Sequence, residues 1–541
     1  MVVPDESRSS AVRWAHEPQL RPVACTLYIM GGRCTRRAGT ETDVVVVGGG
    51  LVGLTAALLL RAHGVRTSLV EKRSSTSPQP KARRLHMRSM EIFRELGLAG
   101  LVHEAARDLA GHDHMAVGPT LAEAEQLPLW EPDGDQGPAL GPSPELPCLL
   151  SQDLLEPLLR QAAVDAGVDV RFDTEVVDHR ESPHGVDVRL MTRPTGQAGE
   201  LTARYLIAAD GARSPIRERL GIPRSTNGFV GHPNVNVYFR TDLVDVVRGR
   251  EFNLCQITHP EAPGALASVD GRHRWVFMAR GGATDRDWPT LLRRALGVPA
   301  PDLQVLSVLA WTPEMQVADT YRVGPVFLAG DAAHVMPPFA ANGANTGIAD
   351  AHNLAWKLAA VLRGHAGDAL LGSYDTERRP AGWFAADQSS RRTQQIRDRS
   401  TPDPTLAHPY VLAVGGMQYT DGAVAADPSL TDDPEPTTRF APSGRIGTRI
   451  PHRWLDADHT RSTIDLAGPT WALLTPGRPP SLPPWPNGPE VQVQQADDLD
   501  FLDDRELLLL RPDHIVGWRG ARQNEVGGAL RTILDPPRLA R

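Results

Sequence analysis

The residues best suited to chemistry share one segment, Leu328 to Leu358, which reads LAGDAAHVMPPFAANGANTGIADAHNLAWKL. Asp331, preceded by Gly330, closes an apolar strand; a Pro-Pro turn follows, and a loop from Gly343 to Gly347 (GANTG) leads into a helix. A carboxylate at a strand end accepts hydrogen bonds from polyol hydroxyls. A helix N-terminus offers free backbone N–H groups and the positive end of its dipole. Together they suit a flavin held by its ribityl chain, with the N1/C2 edge of the reduced ring stabilised against the helix. His334, in the same segment, reads as a structural histidine rather than a catalytic base.

Two other groups supply the missing parts of such a ligand site. Gly48, Gly50 and Gly53 in GGGLVG fit GxGxxG: a tight turn, a close approach of backbone to a pyrophosphate, and close packing of helix on strand. Glu71 follows at about the ~20-residue distance of an acid that accepts from a ribose hydroxyl. By themselves these residues suit NAD, NADP or FAD. Asp210 to Arg217 (DGARSPIR) places another Asp-Gly at a strand end, which alone is no more than a turn; its weight comes from the other two motifs.

The elements that must position these groups are legible by period. Four valines after Asp43 form a buried parallel strand, a helix runs from about Leu51 to His63 with Gly64 as its stop, and Thr67 to Val70 is the next strand. This is a βαβ unit. Met87 to Leu96 and Leu154 to Ala166 are helical by apolar spacing, and Val168 to Phe172, Val186 to Leu190 and Tyr205 to Ala209 are strands. Gly118 to Pro147, rich in Pro and Gly, reads as a long loop. From 225 to 310 the pattern alternates, as in Asn234 to Phe239 and Trp275 to Met278, so one face of a sheet is polar. Ile348, Ala351, Leu354, Ala355, Leu358, Val361 and Leu362 form the core stripe of the helix after the GANTG loop. Asp427 to Gly444 has linker composition, and Trp471 to Leu474, Leu507 to Leu510 and Ile515 to Trp518 read as strands of a small α/β domain.

Size and composition bound the rest. A chain of 541 residues predicts roughly two to four domains. A net charge of −8 without like-charge runs gives no nucleic-acid footprint. Cys25, Cys34, Cys148 and Cys255 form no CxxC and no metal spacing, so no metal is expected and a reducing, cytoplasmic setting is. Only three lysines (Lys72, Lys81, Lys357) stand among 57 basic residues, a mark of high-GC bacterial coding. Val44 to Leu60 is apolar enough to imitate a membrane span, but its glycines divide it into strand, turn and helix, so no membrane segment is expected. Residues 1 to 41 hold a short apolar patch, Val23 to Met30, without a secretory pattern; they are read as an extension that is disordered or precedes the true start, with Met30 a candidate.

GGGLVG, DGARSPIR and AGDAAH…PPFAANGANTGIADAHNLAWKLA, in this order, resemble the single-component FAD-dependent aromatic hydroxylases of the para-hydroxybenzoate and phenol hydroxylase group. The likeness spans about Asp43 to Pro380. GRIGTRIPHRWL, STIDLAG and LLLLRPDHIVGWRG resemble the thioredoxin-like C-terminal domain of the phenol and polyketide hydroxylase branch, here without a redox CxxC and so with a structural or dimer-forming role. The resemblance implies an α/β fold: a Rossmann-like FAD-binding domain (43–115, 150–220, 320–400) interleaved with a β-sheet substrate domain (116–149, 221–319), then a thioredoxin-like domain (427–541). It implies that Arg83 lies near the flavin, with Arg84 its neighbour, that Gln152 touches the ribityl or phosphate region, and that Asp210 and Asp331 hold the cofactor. Pro338 would lie beside the reactive ring edge, and Gly343, Asn345 and Thr346 in the loop against the ring. Phe339-Ala340-Ala341-Asn342 departs from the glycine pairs of many relatives.

The implied reaction is reduction of FAD by NADPH or NADH, addition of O2 to give a C4a-hydroperoxide, and oxygen transfer to an electron-rich aromatic ring. No second GxGxxG exists, so the nicotinamide visits transiently. High-GC coding and the tail favour a polycyclic polyketide substrate, hydroxylated or, on the same scaffold, subjected to Baeyer-Villiger insertion. The substrate contacts are expected from Asn234, Asn236 and Tyr238 if that face lines the cavity; a face turned to solvent stands equally open. The chain is expected to act as a monomer or homodimer. Competing readings are a halogenase, disfavoured by the lack of WxWxIP, a single-Rossmann NAD dehydrogenase, which leaves Asp331 and GANTG without purpose, and a non-catalytic FAD-binding protein.

Overall fold

The computed structural model describes residues 41–112, 114–128, 141–398, 403–426, 442–477, 488–496 and 499–537. The N-terminal extension and most of the expected linker at 427–444 lie outside them. Val44 to Val47 are buried in the central strand β1 (Glu41–Val47), as an apolar strand covered on both faces must be. The chain turns at Gly48 to Gly50, runs through α1 (Leu51–Ala62) and returns as β2 (Thr67–Val70). β1 lies between β2 and the strand Gln197–Ala208, parallel to both. Asp169–Arg171 continues the sheet beyond β2 and Val326–Leu328 beyond Gln197–Ala208, again in parallel. All these strands therefore deliver their C-terminal ends to one edge, where doubly wound folds bind ligands. Gly48 to Gly50, Glu71, Asp210 and Gly330-Asp331 are the residues that leave those ends.

A second, seven-stranded sheet holds Asn234–Arg240 between Arg274–Arg280 and Gln304–Trp311. Val235, Val237 and Phe239 enter its core with Trp275, Phe277 and Leu292, while Tyr238 packs with Val269 and Val276 on the opposite face. The region expected as a loop from Gly118 begins at the end of the strand His114–Gly118 and contains Glu125–Pro128, which closes the sheet. Glu125–Pro128 has no apolar period because it is an edge strand, and an edge tolerates Pro128. Residues 129–140 lie outside the described residues.

The last sheet runs in the order Val491–Gln495, Trp471–Thr475, Leu507–Leu510, Val516–Gly520. Its first pair is parallel and the others antiparallel, followed by the helix Val526–Leu534, the thioredoxin-like arrangement. Two helices join this domain to the rest. The cradle helix Asn342–Leu362 sends Trp356 and Ala360 into a shared core with Trp471, Trp518 and Ile533, and the long helix Asp368–Asp398 adds Leu370. The cradle helix starts one residue before the GANTG sequence, which is helical rather than a loop. Ala341 in the left-handed conformation (φ +57°) makes the turn into it, so no glycine is needed for that bend.

Candidate active site

At the end of β1 the glycines differ in what they permit. A Cβ on Gly48 (φ +113°) would lie 2.2 Å from the Ala209 oxygen, and one on Gly53 would lie 1.9 Å from the Gly48 oxygen. Both are fixed as glycine by backbone packing. On Gly50 the nearest atom is Glu156 Oε1 at 3.5 Å, so the space over the N-terminus of α1 stays open. Glu71 is buried and accepts from the Gly49 N–H at 2.7 Å and the Arg73 N–H at 2.9 Å. Glu156, which the sequence reading missed, caps the same helix end: its Oε1 accepts from the Leu51 N–H at 2.9 Å and from Gln152 Nε2 at 2.5 Å, and its Oε2 from the Ser77 N–H at 2.8 Å. Burial pushes its pKa up. Gln152 is the first residue of the helix Gln152–Asp165 rather than a residue before it, and it acts through Glu156. The Gln-Leu-Glu spacing of four residues was the overlooked signal.

The Asp210 motif is more than a turn. Asp210 Oδ2 accepts from the Ile216 N–H at 3.1 Å, while its buried Oδ1 has no partner. Arg217 is buried and donates to the carbonyls of Ala212, Arg213 and Ala332, which ties this motif to the Gly330–Ala332 turn. That turn carries Asp331, whose side chain opens to the cleft. The surrounding protein nevertheless pushes its carboxyl pKa up by desolvation, and Lys81 is a cation felt by both Asp331 and Glu156.

Val52 is where the helix of the glycine motif meets both ends of the Leu328–Leu358 segment. A Cβ on Gly330 (φ +61°) would meet Val52 Cγ2 at 2.8 Å, and one on Gly347 would meet Val52 Cγ2 at 2.5 Å and the Gly330 Cα at 3.0 Å. The first turn of α1, the Asp331 turn and the cradle helix thus touch with no side chain between the last two. At the start of the cradle helix the Asn342 N–H is spent on the Phe339 carbonyl, so the free donors are the N–H groups of Gly343 and Ala344, not the whole run to Gly347. Asn345 turns its side chain away: it accepts from the His86 N–H and Ser89 Oγ and donates to the carbonyls of Arg84 and Ala341. Thr346 offers its carbonyl to Arg378. Pro338 is exposed at the mouth, beside half-buried Phe339.

Arg83 reaches across to the second sheet, donating to the Ser268 carbonyl at 2.8 Å and the Asn253 carbonyl at 3.4 Å, with its pKa lowered to about 10 by burial. Tyr238 is not open to a substrate as a free phenol. It is buried beside the charge of Arg274, which pairs with Asp270 at 2.9 Å and Asp153 at 3.3 Å, and burial raises its pKa. Asn236 on the same face is half-buried and accepts from Trp311 Nε1 at 2.9 Å. His334 is buried against Asp350 and reaches no cleft. Glu95, His352 and His514 gather within reach of one ion, but both histidines turn Nδ1 to Arg88 and Nε2 toward Glu95, so that a guanidinium closes the group.

FAD fits these residues. The open space at Gly50 suits a pyrophosphate, the unpartnered Asp210 Oδ1 and the open Asp331 carboxylate suit its hydroxyls, and the first-turn N–H groups suit an anionic ring edge. Residues 41–389 match the FAD binding domain family, and residues 443–537 match the aromatic-ring hydroxylase C-terminal family. The chain belongs to the FAD-dependent aromatic-ring hydroxylases. The hydroxylase is 40% identical to a putative polyketide hydroxylase of Streptomyces halstedii, over 93% of this chain and 94% of that one. It is 37% identical to the tetracenomycin A2 monooxygenase-dioxygenase of Streptomyces glaucescens, over 92% and 96%. Its fold is similar to aklavinone-11 hydroxylase in ternary complex with FAD and aklavinone (TM-score 0.78, 30% identity, 92% of this chain, all of the other). It is also similar to RebC, a rebeccamycin biosynthetic enzyme solved with reduced flavin (TM-score 0.78, 28% identity, 92% and 100%). The hydroxylase is a flavoprotein monooxygenase, and among its described residues no helix is long and apolar enough to cross a membrane.

Proposed function

We propose that the hydroxylase adds one oxygen atom of O2 to an aromatic ring of a polycyclic polyketide, with NADPH or NADH as reductant. The observation that carries this reading is the convergence at Val52, which puts the Asp331 turn and the cradle-helix N-terminus at one place. The names of the relatives, polyketide and aklavinone hydroxylases, support the substrate class.

Bound FAD supplies the redox chemistry and the activation of O2. The chain's own residues hold, orient and shield. Gly48, Gly50 and the N-terminus of α1 receive the pyrophosphate, with Lys81 adding positive charge, and Glu71 receives the ribose. Asp331 accepts from the ribityl hydroxyls and Asp210 Oδ1 takes a further cofactor contact. The N–H groups of Gly343 and Ala344 bear on the ring edge that becomes negative on reduction. Asn345 and Thr346 hold that helix start rather than the ring, Gln152 acts through Glu156, and Pro338 and Phe339 shield the ring edge from water. Arg83 fastens the substrate sheet to the FAD-binding part. Asn234, Asn236 and Trp311 line the substrate side; Tyr238, buried and with its pKa raised, keeps its proton and is no base. We assign 43–115, 150–220 and 320–400 to the FAD-binding domain, 116–149 and 221–319 to the substrate domain, and 427–541 to the thioredoxin-like domain. The enzyme works in the cytoplasm as a monomer or homodimer.

The test is NAD(P)H consumption by the purified flavoprotein against a panel of phenols and polycyclic quinols, with mass spectrometry for a gain of one oxygen. A flavin-loaded protein whose NAD(P)H oxidation no aromatic compound stimulates would sink the reading.

A further inference from the structure

The sequence motifs account for the residues that face the cleft, but not for a buried group directly behind them. Asp350 lies on the cradle helix one turn beyond Gly347 and is fully buried. Its Oδ2 accepts from the Gly330 N–H at 3.1 Å and lies 2.7 Å from His334 Nε2; its Oδ1 accepts from Arg378 Nε at 2.8 Å. A carboxylate only accepts, so His334 carries its proton on Nε2. His334 Nδ1 has no partner, which leaves Asp350 as the group that orients the ring. Arg378, from the long helix, spends its other donors on the Thr346 carbonyl at 3.2 Å and the Tyr419 hydroxyl at 2.9 Å. Burial opposes the charge on Asp350, and His334 and Arg378 outweigh it, holding the carboxyl below its usual range.

We propose that Asp350, His334 and Arg378 form a positioning unit that locks the Asp331 turn to the first turns of the cradle helix, and that Tyr419 extends the unit toward the C-terminal domain. The argument is geometric. The turn and the helix meet backbone to backbone at Gly330 and Gly347, where no side chain fits to brace them. The triad reaches one backbone group on each: the Gly330 N–H, next to Asp331, and the Thr346 carbonyl, at the end of the first helical turns, which takes the Arg378 bond beside its own helical one. A buried ionic triad is seldom a cheaper source of stability than apolar packing. Its bonds end on the two backbone segments whose spacing sets how a ribityl chain and a ring edge are held at once. Tyr419 lies in the segment that also pairs with Gly447, so the fixed spacing is shared with the tail. Displacement of either segment by a fraction of an ångström would lengthen cofactor contacts that none of the triad touches.

The proposal rests on the assignment of Asp331 and the cradle-helix N–H groups to FAD, and the experiment separates the two. FAD dissociation constants, the absorbance spectrum and midpoint potential of the bound flavin, and the Tm of the apoprotein are measured for the full chain and for Asp331→Ala, Asp350→Asn, Arg378→Lys and Tyr419→Phe. Asp350→Asn is expected to weaken FAD binding about tenfold or more and to shift the potential and spectrum, although it touches no cofactor atom. Arg378→Lys, which keeps the charge beside Asp350 but loses the fork to Thr346, is expected to fall between the parent and Asp350→Asn. Tyr419→Phe is expected to weaken FAD binding about threefold at unchanged apoprotein Tm. Should Asp350→Asn yield no soluble protein, Arg378→Lys and Tyr419→Phe carry the test. FAD affinity within about twofold of the parent, an unchanged spectrum and a lowered Tm would make the triad a core element only and overturn the proposal. An unaltered affinity in Asp331→Ala would instead overturn the cofactor assignment beneath it.

Discussion

Replacement of Glu377 by Gln should loosen the joint between the FAD-binding part and the tail domain about as much as truncating a large apolar side chain there. Glu377, on the long helix, is completely buried and accepts from Lys357 Nζ at 2.8 Å, from both terminal nitrogens of Arg511 at 2.9 Å, from Asn353 Nδ2 at 2.6 Å and from the Ala423 N–H at 2.7 Å. Gln keeps the shape and one acceptor but removes the charge, which leaves two cations facing each other in a dry site. Breaking a buried pair from one side costs about 3–5 kcal/mol. Two features favour the lower end. Asp513 still holds Arg511 at 2.5 Å, and Lys357, whose pKa burial has already lowered to about 8, escapes the repulsion by losing its proton. A loss of ~3 kcal/mol corresponds to a Tm fall of roughly 6–12 °C for a unit of 150–250 residues. Tryptophan fluorescence during heating is the assay, since Trp356, Trp471 and Trp518 all lie in this joint. Adding Lys357→Met to Glu377→Gln should restore part of the fall, because it removes one stranded cation. A Tm within about 2 °C of the parent, or no gain from the second substitution, would refute the reasoning.

Gly50→Ala should leave the apoprotein Tm unchanged, because its Cβ meets nothing closer than 3.5 Å, yet weaken FAD binding by about tenfold or more; titration of apoprotein with FAD decides it. Gly53→Ala, whose Cβ would strike the Gly48 oxygen at 1.9 Å, should instead fail to give folded protein in a solubility and circular dichroism screen. Glu91 is desolvated, but Arg449 and Arg88 lower its carboxyl from 4.5 to about 2. Its contribution to stability is therefore complete above pH 4.5 and lost as pH falls through about 2, so Glu91→Gln should flatten the acid limb of a Tm-against-pH curve in that window. Tyr238→Phe should leave the shape of the kcat–pH profile unchanged below about pH 9, since a phenol with a raised pKa does not titrate there; a lost limb would make Tyr238 a base.

What was legible in the sequence is what repeats locally. Val44 to Val47 show their burial by being four valines, and Gly48, Gly50 and Gly53 show the turn because backbone approach leaves no other residue. Asp210 and Asp331 were found because each follows an apolar strand directly. The opposite held for Asp350, Arg378 and Glu156: they are charged residues inside helices, which a helical period assigns to solvent, and only partners far along the chain make them interior. Glu125–Pro128 and Val491–Gln495 stayed hidden as edge strands, half exposed and without a clean alternation. The GANTG start was placed in a loop because glycine disfavours helices, whereas here Gly347 is small so that the helix can lie on the Gly330 backbone.

The cradle helix gives this enzyme a grain that its chain order hides. Its first turns lie against the Asp331 turn and its last turns are buried in the tail, about 30 Å away along one rod of 21 residues. Cutting the chain after residue 426, at the most inviting linker, would bare Trp356, Ala360 and Leu370 and strand the charges of Lys357 and Glu377 in a new surface. Shuffling tails between relatives therefore calls for carrying the second half of that rod along with the tail, so that the practical seam runs through the middle of a helix and not through the linker.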